Sequence, residues 1–412
     1  MLDIKFIREN PKEVQKGAAA KGVKADVKAI LKLDEERRAL QTEVDELRRR
    51  QKGLGAGDRE TARELKTQVK TKEDKLSATA AKLEALLVEL PNVPRPDVKV
   101  GKDESDNEVL RQVGKTPKFA FQPRDYMELA QRHDLIDMER AGKVSGSRFG
   151  YLKNEAALLE FALVRYGLDE VLPRDFMPVI PPVLIGERAM RAMGYLEHGG
   201  EEETYHLKED KLYLVATAEQ SVGPMHMDET FDLKTLPRRY VAWSSCFRRE
   251  AGSYGKDTKG ILRVHQFNKL EMVIYTTPEE SDGEHELLLQ IEEKLMQGLG
   301  LPYQVVKMCS ADLGVPAARK YDIETWIPSE NKYRETHSCS TTTDFQSRRL
   351  NIRYKKEDGK LEFVHMLNGT VFSNRPIIAI LENYQQADGT IAIPEVLRPY
   401  MGGRELIGKS VS

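Results

Sequence analysis

CFRREAGSYGKDTKGILRVHQFNKLE, residues 246–271, is the stretch on which the reading of this chain turns. Just upstream, residues 240–243 form an apolar, strand-like run that closes on Phe247. Arg248, Arg249 and Glu250 make a charged cluster, a glycine-rich basic loop covers 252–260, and a second alternating run covers 261–275. Period-two alternation on both sides of a glycine-rich loop predicts a long β-hairpin. Arg248 and Arg263 then stand near the two bases of the hairpin, where they can converge on one ligand. Guanidinium suits phosphate because its planar fork makes paired, charge-assisted hydrogen bonds. Phe267 offers a flat face for a base and Glu271 a carboxylate for an amine, which together is the inventory for holding a nucleotide beside an amino acid. An Arg-rich hairpin in isolation is ordinarily a solvated surface feature, so the rest of the chain has to carry the choice.

The chain has 412 residues, too many for one ordinary core, which predicts two or three domains. Its charged fraction of 32% is high and fits a long exposed helical element, while a net charge of −2 confines any nucleic-acid binding to local patches. Cys246, Cys309 and Cys339 are widely spaced with no C-x-x-C pair. That pattern gives neither a disulfide framework nor a zinc signature, and zinc is not expected. The opening MLDIKFIREN lacks the apolar core of a signal peptide, and no run of about 18 apolar residues occurs. The expectation is a cytoplasmic protein without a membrane span.

Asn10-Pro11 marks a helix start. From residue 27, Ile30, Leu33, Arg37, Leu40, Val44, Leu47, Gln51 and Leu54 step by three and four, as do Ala62, Leu65, Val69, Lys72, Leu76, Thr79, Leu83, Leu86 and Leu90. Between these series GLGAGD, residues 53–58, permits a reversal, and the Pro-rich PNVPRPDV, residues 91–98, ends the second. The pattern predicts an antiparallel helical hairpin. Heptads name no partner, so a generic dimerising coiled coil fits as well. The basic residues Arg48, Arg49, Arg50, Lys52 and Arg59 near the tip favour a nucleic-acid arm through sequence-independent phosphate contacts.

In the remainder, residues 98–125 read as a crossing from arm to body. A helix follows with Ala157, Leu158, Phe161, Ala162, Val164 and Leu168 mainly on one face. FMPVIPPVLIGERAM, residues 176–190, is an extended segment whose prolines suit a sheet edge or an interface. In LYLVATAEQSVGPMH, residues 212–226, Thr217 is placed to cap a short helix with Glu219 in its first turn. Residues 276–301 read as another helix. The run at 321–349 contains Glu335, His337, Ser338 and Cys339; a zinc site from His337 and Cys339 lacks a second ligand pair. VHMLNGTVFSNRPIIAILENYQ, residues 364–385, is a strand followed by a helix.

The order F-R-x-E, loop, R, then H-Q-F-x-K-x-E resembles motif 2 of the class II aminoacyl-tRNA synthetases, in the version of the seryl-tRNA synthetase family. The 176–190 stretch resembles motif 1, with Pro181 or Pro182 at its proline position, and 364–385 resembles motif 3. The opening residues 1–11 and the closing IPEVLRPYMGG also resemble the family. The resemblance implies an α+β fold, an antiparallel sheet flanked by helices, fronted by a two-helix coiled-coil arm. It implies an arm at 1–100 that binds tRNA and a catalytic domain at 101–412 that carries a homodimer interface.

The implied reaction joins L-serine to serine tRNA at the expense of ATP, through a seryl-adenylate, and the same resemblance admits selenocysteine tRNA as a second acceptor. The implied serine site is Thr217, Glu219, Arg248, Glu271, Asn368 and Thr370. The implied ATP site is Arg248, Glu250, Arg263, Phe267, Glu335, Ser338 and Arg375, with Mg²⁺ on Glu335 and Ser338, the hard oxygen donors it requires. The arm is implied to grip the long variable arm of the tRNA. Two departures stand out: His337 replaces a serine of the family's E-x-S-S-C-S text, and motif 3 is one residue shorter between Asn368 and Arg375 than is common. An amino-acid ligase that loads a carrier protein and a non-catalytic tRNA-binding relative both remain open at this point; the long basic arm speaks against the first.

Overall fold

The computed structural model describes residues 1–54, 58–251 and 259–408. Half of the reversal expected at 53–58 and most of the basic loop expected at 252–260 lie outside these residues. The chain divides into two units, Met1–Val93 and Pro94–Ser412.

In the first unit, two short helices, Ile4–Glu9 and Pro11–Ala20, precede α1 (Val27–Lys52) and α2 (Arg59–Val88). Pro11 occupies the first helical position, where its missing N–H costs nothing. Asp26 caps α1 by accepting from the amide of Ala29 at 2.9 Å. The two long helices pack against each other as the heptads require, burying Ile30, Leu40 and Val44 on α1 and Leu65, Val69, Leu83 and Leu87 on α2. Arg48–Glu73, at 2.6 Å, and Lys72–Glu43 link them across the seam. Expected positions differ on both helices, and on α2 Leu87 is buried in place of the expected Leu86. Arg37 stays partly exposed and the neighbouring Asp34 is fully buried, held by Arg8, Arg37 and Arg38 at 3.3, 3.0 and 3.1 Å. Pairing of this kind offsets the cost of burying the carboxylate.

The second unit is built on an eight-stranded sheet. Its strands are β1 (Glu108–Val113), β2 (Phe176–Val179), β3 (Arg238–Phe247), β4 (Gln266–Thr276), β5 (Tyr303–Lys307), β6 (Arg319–Ile327), β7 (Lys332–Thr343) and β8 (His365–Phe372). They lie in the order β1-β5-β6-β7-β8-β4-β3-β2. Every pairing is antiparallel except that of β2 with β3. The helices that matter here are α3 (Asn154–Val171), α4 (Glu219–Val222), α5 (Ser281–Leu299), α6 (Phe345–Leu350) and α7 (Arg375–Asn383). The Pro-bearing β2 takes the sheet edge, where its missing donor is harmless.

Strand alternation sorts the sheet into two faces. Leu270, Met272, Ile274, Leu367 and Val371 join the core formed with α3 and α5. Helix α3 lies so close at Gly167 that a Cβ there would stand 2.5 Å from Val371 Cγ1. The opposite face carries Phe267, Lys269 and Glu271. Further along it, Val273 and Tyr275 enter a second apolar cluster with Tyr240, Ala242 and Met366.

Four expectations are corrected. The second arm of the hairpin begins at Gln266, not at 261: Ile261 and Val264 are buried from a loop, and the amide of His265 bonds the Arg148 carbonyl at 2.9 Å instead of a strand. Residues 108–113, read as plain crossing, form edge strand β1, whose polar sequence gives little alternation. Thr217 does not cap α4; Ala218 holds that position, and the Thr217 hydroxyl donates to Glu271. The buried face of α3 is Ala156, Leu159, Leu163 and Tyr166, leaving Leu158 and Phe161 exposed, the latter at 68%.

Candidate active site

Because β4 alternates, Phe267, Lys269 and Glu271 stand in a row on one face. Phe267 and Lys269 form the floor of a hollow whose walls include Arg248, Glu250, Arg263, Glu335, Ser338, Thr370 and Arg375, and the buried Glu271 lies one step further along the same face of the strand. Arg248 follows the last residue of β3. Its Nε donates to the Ala216 carbonyl at 3.2 Å and its guanidinium lies over the Phe267 ring, 5.1 Å from the centroid. Arg263 reaches Glu250 at 3.4 Å between the two ends of the hairpin loop. Arg375 opens α7 and grips Glu335 twice, its Nη1 donating to the carbonyl at 2.9 Å and to Oε2 at 2.8 Å. The shortened connection in this segment therefore still delivers Arg375 to the hollow.

Glu335 and Ser338 are three apart, which in a regular strand puts them on opposite faces. The pairing of β6 with β7 slips by one residue between Ile323–His337 and Glu324–Glu335, so that Thr336 is extra. This bulge returns Glu335 to the face of Ser338, and both line the hollow. Burial alone would raise the Glu335 carboxyl, but the Arg375 guanidinium and the Lys320 ammonium hold it well below the usual carboxylate range. An ionised carboxylate beside a hydroxyl fits Mg²⁺, which keeps several waters and takes few protein ligands. Among the described residues no group of three or more His, Cys, Asp or Glu side chains is arranged to hold a metal ion.

His337 faces the other way. Its Nε2 donates to the Val371 carbonyl at 2.9 Å, and Nδ1 lies 2.9 Å from the Thr336 hydroxyl. Burial holds its pKa down at about 3, so the ring is neutral. The residue that departs from the family text is thus a core histidine.

Beyond the residues that line the hollow, Glu219 and Glu271 are buried together, 3% and 1% exposed. The Thr217 hydroxyl donates to Glu271, and Lys269 Nζ bonds its other oxygen at 2.7 Å. Glu219 accepts from Gln346 Nε2 and from the Tyr195 hydroxyl, both at 2.9 Å. Burial first, and then the charge of Glu271, push the Glu219 pKa up to about 7. Thr370 lines the hollow, and Asn368 sits two residues earlier on the same face of β8. The expected ATP residues and Thr370 thus line one hollow, Thr217 and Glu219 gather at Glu271 outside its lining, and Asn368 shares the strand face of Thr370 without a hydrogen bond to any of them among the described residues.

Sequence reasoning missed three participants. Lys269 was signalled, since it shares the parity of Phe267 and Glu271. Tyr195 and Gln346 come from remote segments and left no local signal. In the other unit, Arg48, Arg49, Arg50, Lys52 and Arg59 are all exposed around the described ends of α1 and α2. Arg48 also serves the helix seam through Glu73.

Residues 1–94 match the seryl-tRNA synthetase N-terminal domain, and residues 203–384 match the tRNA synthetase class II core domain (G, H, P, S and T). The chain is 47% identical to a serine–tRNA ligase of Streptomyces coelicolor, with 99% of each chain covered. It is 44% identical to one of Dictyoglomus thermophilum, over 98% of this chain and 99% of that one. Among solved structures, seryl-tRNA synthetase from Pyrococcus horikoshii complexed with ATP superposes with a TM-score of 0.92 at 39% identity, covering 99% of both chains. The cytoplasmic serine–tRNA ligase from Naegleria fowleri in complex with AMP gives 0.90 at 31% identity, covering 99% of this chain and 98% of that one. With an arm and a catalytic core both matched, and full-length relatives well above 30% identity, the chain belongs to the seryl-tRNA synthetase family.

Proposed function

We propose that the chain is a cytoplasmic serine–tRNA ligase that first makes seryl-adenylate from L-serine and ATP, and then passes the seryl group to the terminal hydroxyl of serine tRNA. The observation that carries this reading is the pair of buried carboxylates, Glu219 and Glu271, joined through Lys269 to a cation-walled hollow with an aromatic ring on its floor. Two carboxylates out of water call for a cationic ligand, and the ammonium of a small amino acid supplies it. The hydroxyls of Thr217 and Thr370 and the amide of Asn368 suit a hydroxylated side chain. A site built to bond a hydroxyl rejects analogues without one far better than an apolar pocket does.

In this reading Phe267 stacks the adenine and Glu250 reads its edge. Arg248 holds the α-phosphate and the serine carboxylate, while Arg263 and Arg375 hold the outer phosphates. Glu335 and Ser338 would hold Mg²⁺, which supplies charge neutralisation at the phosphates when bound. The chain's task is to align the carboxylate with the α-phosphorus and to offset charge; no protein nucleophile is required. Residues 1–100 act as the tRNA-binding arm, gripping the long variable arm through the basic tip, and 101–412 act as the catalytic domain. Selenocysteine tRNA is a second acceptor to be assayed beside serine tRNA. Exposed apolar residues on α3 and beside β2, above all Phe161 and Ile180, suit burial against a second copy.

Four outcomes test this. Arg248→Ala should lower serine-dependent ATP–pyrophosphate exchange by roughly 10²-fold or more, the scale of losing a transition-state charge contact, while the melting temperature holds; near wild-type exchange removes Arg248 from the site. The KM for serine should be flat above about pH 8 and rise roughly tenfold by pH 6, because a carboxylate titrating near 7 is ionised above that point and protonated below it. Glu219→Gln should flatten this profile at a raised KM; a pH-independent KM in the unaltered protein would disconnect Glu219 from the ammonium. Replacing Arg49, Arg50 and Lys52 together by Ala should cut tRNA charging about tenfold and weaken its salt dependence without touching exchange. Sedimentation should give a dimer that Phe161→Glu converts to a monomer; a monomeric parent protein would refute the dimer.

A further inference from the structure

Lys269 is the one cation on the floor of the hollow, among the described residues of β4 that face it. Its side chain is 11% exposed and its Nζ lies 2.7 Å from Glu271 Oε1. It stands between Phe267 and Glu271 on the same face, one pleat from each. In an aminoacyl-adenylate the order of parts is base, ribose, phosphate, amino acid. If the base lies on Phe267 and the amino group at Glu271, the residue between them faces the phosphate. Arg248 approaches that place from the end of β3, tied at its Nε to the Ala216 carbonyl and leaning over Phe267. Lys269 approaches from the floor, so the two cations flank one position.

In the structure as it stands, Lys269 offsets the charge of Glu271, while Thr217, Tyr195 and Gln346 contribute only neutral donors to the carboxylate pair. An arriving ammonium competes for the same oxygen. The displaced lysine has a flexible four-carbon stem and can turn to the next anion along the strand face.

We propose that Lys269 is a catalytic residue of the activation step, its ammonium passing from Glu271 to the α-phosphate of ATP when the amino group of serine takes its place. This rests on the serine-activating reading above. In the step itself, a serine carboxylate oxygen forms a bond to the α-phosphorus. The bond from that phosphorus to the oxygen bridging to the β-phosphate breaks, and its electron pair leaves with pyrophosphate. Lys269 donates a hydrogen bond to a non-bridging α-oxygen as charge gathers there and keeps its proton throughout. Removing a donor of this kind costs about 10²–10³-fold in rate. The exchange of partners also makes the bound amino acid prepare the site for the nucleotide.

The test compares Lys269→Met with the unaltered full-length protein in two measurements: kcat for serine-dependent ATP–pyrophosphate exchange, and affinity for serinamide, which carries the ammonium and hydroxyl but no carboxylate. The expected result is a kcat lower by about 10²-fold or more with serinamide affinity unchanged or tighter, since a competitor for Glu271 has gone. Lys269→Arg should recover part of the rate. If exchange falls by no more than serinamide affinity does, Lys269 is only a counter-ion for Glu271 and the proposal is overturned. Should Lys269→Met fail to fold, Lys269→Gln keeps a hydrogen bond to Glu271 without the charge and serves the same comparison. Absence of serine-dependent exchange in the unaltered protein would instead sink the assigned activity.

Discussion

Keeping two carboxylates side by side out of water is the constraint around which the catalytic unit is arranged. Glu219 and Glu271 come from different elements, a short helix and a central strand, and each brings a cost that only nearby donors offset. Two donors, Thr217 and Lys269, lie two residues from the carboxylates themselves, and two, Tyr195 and Gln346, come from further segments. Gln346 is itself fixed, because its amide nitrogen also donates to the Met193 carbonyl at 3.2 Å, so the flipped amide would set its oxygen against both a carbonyl and a carboxylate. The compensation is incomplete, as the raised pKa of Glu219 records. A cation placed beside the pair would relieve that residual cost.

The parts of this design that could be read from the chain were those with a short period or a short spacing. The alternation around Phe267 and Glu271, the heptads of α1 and α2, Pro11 and the edge prolines each encode a local rule, and each holds in the structure. What escaped depends on distant partners. The bulge at Thr336 has no signature in E-T-H-S; it follows from pairing with β6. Strand β1 is polar enough to pass for a linker, and it is a strand because β5 offers it an unpaired edge. The buried face of α3 was misassigned because the helix is apolar nearly all round, so periodicity could not say which side meets the sheet. Thr217 was read as a cap because its tertiary partner, Glu271, lies 54 residues away.

The arm shows the same principle at smaller scale. Its apolar seam was plain in the sequence, yet the polar interruption near residue 34 is a second buried carboxylate, Asp34, met by three arginines. In both units, then, an acid inside the protein organises the side chains around it. In the arm the counter-charges are resident and the pair is closed. In the catalytic unit they are mostly neutral donors, which leaves the site open to an incoming cation.

The ladder between β7 and β8 ends at Cys339–Gly369, and Ser338 and Thr370, just beyond it, line the hollow. Two side chains seal it from behind: Glu292 on α5 takes the amide of Thr370 at 3.0 Å, and His337 takes the carbonyl of Val371. Burial, reinforced by Asp322, pushes Glu292 well above the ordinary carboxylate range, and burial keeps His337 uncharged as well. Burial disfavours the charged form of both side chains, and loss of either would leave a strand amide or carbonyl without its partner.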